Sequence, residues 1–203
     1  MKTSVTGVIL AGGQNTRFSG TNKALIRVGG KYILDRIYNV FSDLFEEIIL
    51  VTNDPIQYLE WDLNIVTDLF PFRSSLTGIH AGLFYMTTPH AFFVACDIPF
   101  LKKELVEIII GNIEPGVDIV VPETSQGFEP LCSVYSKQCF KPIEHQLVKK
   151  DLKIQQIFRK VRVKKIPENI LRQNDPDLLS FSNINTPDDL TRAEYIATST
   201  TGE

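Results

Sequence analysis

Leu10-Ala11-Gly12-Gly13-Gln14-Asn15-Thr16-Arg17-Phe18-Ser19-Gly20-Thr21-Asn22-Lys23 is the stretch on which the fold of this 203-residue chain turns. It follows an apolar run, Val5 to Leu10, that reads as a buried strand. Gly12 and Gly13 end that strand and allow a tight backbone turn. Without Cβ atoms in the way, successive N–H groups can come close to an anion. Arg17 and Lys23 flank Phe18-Ser19-Gly20 with two positive charges. Bare amides and two cations together suit a polyphosphate. Read without a ligand, the same residues make an ordinary strand-to-helix turn with basic surface residues. Spacing excludes two familiar phosphate loops. A Walker A loop requires Gly-Lys-Ser/Thr, whereas Gly20 is followed by Thr21-Asn22-Lys23-Ala24. A dinucleotide fingerprint requires Gly-x-Gly-x-x-Gly, which Gly12-Gly13 lacks.

Outward from this loop, strands and helices alternate. Lys31–Phe45 carries Ile33, Leu34, Ile37, Val40, Phe41 and Leu44 at the spacing of one helical face. Ile48–Val51, Ile65–Thr67 and Ala91–Ala95 read as short buried strands; Thr77–Met86 and Lys103–Ile110 read as helices. Such alternation predicts an α/β fold, doubly wound around a largely parallel sheet. Ligands of such sheets bind outside the carboxyl ends of the strands. Gly12, Asn53, Asp68 and Asp97 each fall just past a predicted strand end, so four strand ends converge on one rim. Asn and Asp also end strands simply as turn formers.

The second half is less regular. Asp118–Val121, Leu131–Tyr135 and Val161–Ile166 read as strands, and Gln138–Lys149 and Leu152–Arg159 as helices. Phe181–Leu190 reads as a last short strand entering a helix. Thr186 is placed there as N-cap and Pro187 as first helical residue, and Asp188 and Asp189 favour the helix N-terminus. One domain over 1–197 with a frayed tail at 198–203 is expected.

Bulk properties narrow the function classes. A net charge of −3 does not suggest a nucleic-acid binder or a membrane-surface protein. No apolar run approaches the roughly 20 residues that span a bilayer. The first residues lead straight into a strand and make a poor signal peptide. Cys96, Cys132 and Cys139 lack Cys-x-x-Cys spacing and read as reduced thiols of a cytoplasmic protein. His80, His90 and His145 lack ligand spacing. Lys149 to Lys165 is rich in Lys and Arg. Such a run is either a solvated face or a landing patch for an anionic cofactor or carrier protein. Nucleic acid is disfavoured because Phe158 is the one interleaved aromatic.

Leu10-Ala11-Gly12-Gly13 with Arg17, Gly20 and Lys23 resembles the nucleotidyltransferase signature. With Val94-Ala95-Cys96-Asp97-Ile98-Pro99-Phe100-Leu101 and Asn183-Ile184-Asn185-Thr186-Pro187, the chain from Val8 to about Leu190 resembles the molybdenum cofactor guanylyltransferases. The resemblance implies a three-layer, Rossmann-like nucleotidyltransferase fold, with a nucleotide-binding half over about 1–110 and an acceptor-binding half over about 111–197. It implies GMP transfer from GTP to the terminal phosphate of Mo-molybdopterin, with Mg2+ as cofactor and Asp97 as its ligand. Lys23, Asp97 and Arg17 would be catalytic. Leu10, Ala11, Gly12, Gly13, Lys23, Asn53, Asp68 and Asp97 would bind the nucleotide. Asn183, Asn185 and Lys153 would bind the molybdopterin acceptor. Cofactor-donor and molybdoenzyme-maturation proteins are candidate partners. Two departures stand out: Ser74-Ser75-Leu76-Thr77-Gly78 replaces the usual Gly-Pro-Leu-Ala-Gly, and Asn22 precedes the lysine where many relatives have Asp. Cytidylyl-transferring relatives tend to read Leu-Ala-Ala-Gly, which makes Gly12 the candidate discriminator for GTP over CTP. The alternatives are a CTP-using or sugar-phosphate-using nucleotidyltransferase and a catalytically silent nucleotide-binding scaffold.

Overall fold

The computed structural model describes residues 2–12 and 22–199. Gly13 and Arg17 therefore lie outside the described residues. In chain order the elements are β1 (Thr6–Leu10), β2 (Arg27–Val28), β3 (Lys31–Tyr32), α1 (Ile33–Leu44), β4 (Ile48–Val51), β5 (Asn64–Val66), α2 (Ser75–Tyr85), β6 (His90–Ala95) and α3 (Lys103–Gly111). They continue with β7 (Ile119–Thr124), β8 (Gly127–Phe128), β9 (Cys132–Ser136), α4 (Phe140–Val148), β10 (Val163–Pro167), α5 (Glu168–Leu171) and α6 (Pro187–Ser199).

The main sheet runs β10-β7-β9-β6-β1-β4-β5, with β8 folded back on β7. β1 pairs in parallel with β4 and β6, β4 with β5, and β10 with β7. β9 alone opposes its neighbours β6 and β7 within that order. Side chains alternate across the strands. Val8, Leu10, Ile49, Val51 and Phe93 enter one core, covered by α2 and α4. Ile9, Leu50, Phe92 and Val94 enter the other, covered by α1, α3 and α6. Both faces are buried, which is why these strands read as continuous apolar runs. α2 lies close to the sheet because Gly82 has no Cβ; one there would sit 2.6 Å from Phe93 Cε1. No helix among the described residues is long and apolar enough to cross a membrane.

The three-layer fold with its mostly parallel sheet is as expected, and four local readings need correction. α1 starts at Ile33, because Arg27–Tyr32 forms the small antiparallel β2–β3 ribbon. Its turn is made by Gly29 and Gly30, both at positive φ. Ile154–Arg159 is a 3-10 segment rather than an α-helix. α6 runs through Thr198 and Ser199, two residues expected in the frayed tail. The segment after Phe181 is no strand: Leu179–Phe181 is a 3-10 turn, and residues 182–186 pair with no sheet. Its tie is one backbone bond, Ile184 N to Asp97 O at 2.9 Å. The predicted start of α6 holds, since Thr186 Oγ1 accepts from Asp189 N and Asp189 Oδ2 accepts from the N–H groups of Asn185 and Thr186.

Candidate active site

Strand order sets the site. Along the carboxyl rim β9, β6, β1, β4 and β5 are successive neighbours. Asp97 follows β6, Gly12 follows β1, Asn53 follows β4 and Asp68 lies just beyond β5. The four strand-end residues thus stand in one row, with Asp97 between the β1-β4-β5 side and the β9-β7 side.

Asp97 belongs to a three-residue group. Lys23 Nζ donates to Asp97 Oδ2 at 3.1 Å and to Asn185 Oδ1 at 2.6 Å. Lys23 opens a 3-10 turn, Lys23–Leu25, whose N-cap is Asn22. Asn22 Oδ1 accepts from Ala24 N, and its Nδ2 donates to Gln57 Oε1 at 2.6 Å and to Tyr58 Oη at 2.8 Å. Burial pushes the Tyr58 phenol up to about 12, so it stays a neutral partner. The Asn found where many relatives carry Asp is therefore the brace that aims Lys23. Asp97 Oδ1 is buried and has no hydrogen-bond partner among the described residues. A buried carboxylate oxygen left unpaired is unfavourable. It is the kind of donor that one divalent cation satisfies, with phosphate oxygens and water completing its shell. No group of three or more His, Cys, Asp or Glu that could hold a metal ion occurs among the described residues, so a cation at Asp97 would draw on phosphate oxygens and water for much of its shell. Neighbouring Cys96 is no thiolate donor, since burial and then the Asp97 charge push it up to about 12.

A second group centres on Asp68. Asn53 Nδ2 donates to Asp68 Oδ2 at 2.8 Å, and Thr77 Oγ1 lies 3.2 Å from the same oxygen, its one hydroxyl proton shared between Asp68 and Ser74 O at 2.7 Å. Both contacts fall on Oδ2, which leaves Oδ1 for a ligand's N–H groups. Burial raises the Asp68 carboxyl, and the Asn53 and Thr77 bonds partly restore it. Sequence reasoning missed Thr77. Its signal was the capping box of α2, in which Ser74 Oγ accepts from Thr77 N and Thr77 Oγ1 accepts from Ser74 N. The residues that depart from the usual loop thus both start the helix and hold Asp68. A Cβ on Gly12 would lie 3.6 Å from Asn53 Nδ2, an ordinary contact. Leu10 and Ala11 are buried; Leu10 O accepts from Cys96 N, and Ala11 O accepts from Thr52 Oγ1.

On the other side of Asp97 lies a cavity of about 390 Å³ between the β7–β8 hairpin and α6. Asn183 lines it, with Glu129 and Arg192. Because the segment that holds them is not the expected strand, Asn183 and Asn185 do not act on one face: Asn185 joins Lys23 and Asn183 lines the cavity. The wall is held down by Asp175, which is fully buried, accepts from Ser180 N at 2.8 Å and pairs with Lys102 Nζ at 2.9 Å. Lys153 is not brought to this group. It is exposed and caps the 3-10 segment against α4, its carbonyl accepting from Gln146 Nε2 at 2.8 Å. α4 covers the face opposite to α6. Two cations of the basic run are likewise engaged in the fold, Lys164 with Glu114 and Lys165 with Glu123.

Residues 7–166 match the MobA-like NTP transferase domain. The chain is 47% identical over 191 residues to the molybdenum cofactor guanylyltransferase of Desulfosudis oleivorans, covering 94% of this chain and 95% of that one. It is 36% identical to the probable molybdenum cofactor guanylyltransferase of Natranaerobius thermophilus, covering 95% and 96% of the two chains. In structure it is similar to molybdopterin-guanine dinucleotide biosynthesis protein A from Archaeoglobus fulgidus, with a TM-score of 0.85 at 28% identity, over 96% of this chain and 100% of that one.

Proposed function

The chain belongs to the MobA-like NTP transferase family, and from that premise we propose that it transfers GMP from GTP to the terminal phosphate of Mo-molybdopterin. The observation that carries the reading is the position of Asp97 at the end of β6. On one side stand Gly12 and the Asn53–Asp68 pair; on the other lies the cavity lined by Asn183. A phosphoryl oxygen of the acceptor attacks the α-phosphorus of GTP, the bond from that phosphorus to the bridging oxygen breaks, and diphosphate leaves. No covalent enzyme intermediate is needed, so the protein's contribution is positioning and charge stabilisation.

The nucleotide side is assigned to Leu10, Ala11, Gly12, Asn53 and Asp68, together with Gly13 and Arg17 from the loop signature. Asp68 Oδ1 would accept from the guanine N–H groups while Asn53 and Thr77 fix its other oxygen. Lys23, aimed by Asn22 and held between Asp97 and Asn185, would meet the charge that builds on the phosphates. Asp97 is the residue suited to hold Mg2+, which when bound neutralises phosphate charge. The acceptor side is assigned to Asn185 and to the Asn183 cavity, in place of Lys153. On this reading 1–110 and 111–197 are the nucleotide and acceptor halves. The three free cysteines fit a reducing cytoplasm.

Mass spectrometry of products after incubation with Mo-molybdopterin, Mg2+ and equal GTP and CTP tests the proposal. Molybdopterin guanine dinucleotide with diphosphate is the expected product. Equal or preferential formation of the cytidine product would overturn it in favour of the cytidylyl alternative.

A further inference from the structure

Three carboxylates line the cavity beside Asp97: Asp177 is exposed, Asp189 is taken up by the Asn185 and Thr186 N–H groups, and Glu129 is partly buried with no cation partner among the described residues. Glu129 lies in the bend between β8 and β9, and its backbone is fixed: Glu129 N donates to Pro122 O, and Glu129 O accepts from Cys132 N and from Ser133 Oγ. Its side chain lines the cavity and is partly buried. No Lys, Arg or His pairs with it among the described residues, unlike Asp175 and Asp97 nearby. Burial raises its carboxyl above the ordinary range, with the Thr124 hydroxyl easing it only in part. A half-buried carboxylate of this kind gains most from a ligand that brings two adjacent N–H donors. A different charge lines the same cavity on α6, where Arg192 is exposed and has no ion pair among the described residues. The lining therefore offers a cation for a phosphate and a carboxylate for a paired-donor edge.

Resting on the guanylyltransferase reading, we propose that Glu129 is the residue that reads the pterin of the acceptor, its two carboxylate oxygens accepting from the ring N–H and the exocyclic amine of the aminopyrimidinone edge. A pteridine that carries oxygen in place of that amine sets a carbonyl against the carboxylate and is rejected, a selection by repulsion as well as attraction. Arg192 attracts the phosphate end and does not distinguish the two rings.

The probes are a stable pterin bearing a monophosphate and its lumazine counterpart, in which oxygen replaces the exocyclic amine. Calorimetric titration of both is compared for wild type, Glu129→Gln and Arg192→Ala, with the GTP KM measured alongside. Wild type is expected to favour the pterin by at least about tenfold, as sites built to hydrogen-bond a donor do. Glu129→Gln is expected to lose that preference to within about twofold with an unchanged GTP KM, and Arg192→Ala to weaken both probes alike. A pterin preference that survives in Glu129→Gln, or none in wild type, overturns the role of Glu129 and leaves the guanylyltransferase reading in place. Failure of wild type to bind either probe, with GTP still bound, instead removes the acceptor reading on which the role depends.

Discussion

At Asp97 the two carboxylate oxygens have different fates: Oδ2 takes Lys23, and Oδ1 is buried without a partner among the described residues. Lys23 in turn reaches Asn185 as well, and both contacts concern groups that would face the reacting phosphates. A cation whose partner charge grows at the transition state acts on rate before it acts on binding. Lys23→Ala is therefore expected to lower kcat more than it raises the GTP KM. Steady-state kinetics check this; a raised KM with unchanged kcat would assign Lys23 to uniform binding. Gly12→Ala is expected to leave stability unchanged, because among the described residues its Cβ meets only Asn53 Nδ2, at an ordinary 3.6 Å. Its effect belongs to the nucleotide, and one methyl in a pocket is worth about 1–3 kcal/mol. Competition between GTP and CTP should show the GTP preference narrowed and not reversed; an unchanged ratio would discard Gly12 as its cause. Asp97, Asn53 and Asp68 were legible in the sequence because each is a polar residue just past a strand end, and Lys23 because it closes the glycine-loop signature. Thr77, Asn22 and Tyr58 were not, because a brace is visible only once its partner's position is known.

Element boundaries explain which readings succeeded. β4 matched its expected limits, Ile48–Val51, because a short β-branched run buried on both faces admits one structure. Phe181–Leu190 was misread as opening on a strand because its first part is held by the buried Ile184 and by the Ile184 N bond to Asp97 O, not by a ladder. α2 shows how a helix can be fixed by what it lacks. Gly82→Ala would place a methyl 2.6 Å from Phe93 and 2.9 Å from Val8 Cγ1. Overpacking of this kind costs about 1–3 kcal/mol, so a lowered urea midpoint is expected and an unchanged one would contradict the packing. His80 of the same helix is buried, stacks on Phe140 at 4.5 Å and meets Phe70 edge-on at 5.1 Å. Neither ring nitrogen has a hydrogen-bond partner among the described residues. Burial lowers its pKa, opposed by Glu144, whose Oε1 lies 3.9 Å away. The unfolded chain therefore takes up a proton that the folded chain refuses. Stability is complete above the ordinary imidazole value of about 6.5 and falls as pH drops below it. His90 is shifted in the same direction and adds to the slope. Urea melts at about pH 7.5 and about pH 5.5 should show the loss, reduced in His80→Leu. An equal loss in that variant would exclude His80 as a source.

Across the whole molecule, the reversed strand β9 and the returning segment before α6 set the Asn183 cavity beside the strand end that carries Asp97, which is the side proposed for the acceptor. Asp175 fastens that segment through Ser180 N and Lys102. Asp175→Asn keeps the volume but removes the charge, so the acceptor KM is expected to rise while the GTP KM holds. Equal changes in both would mean a general loss of structure and not a local one. The central claim is that Asp97 stands between two binding sides and serves the transfer itself. Its most direct test is diphosphate release by Asp97→Ala at saturating GTP, Mo-molybdopterin and Mg2+, with GTP affinity measured on the same sample. Turnover at least about a hundredfold below wild type, with GTP still bound, is expected of a group worth several kcal/mol at the transition state. A near-normal rate at saturating Mg2+ would contradict it.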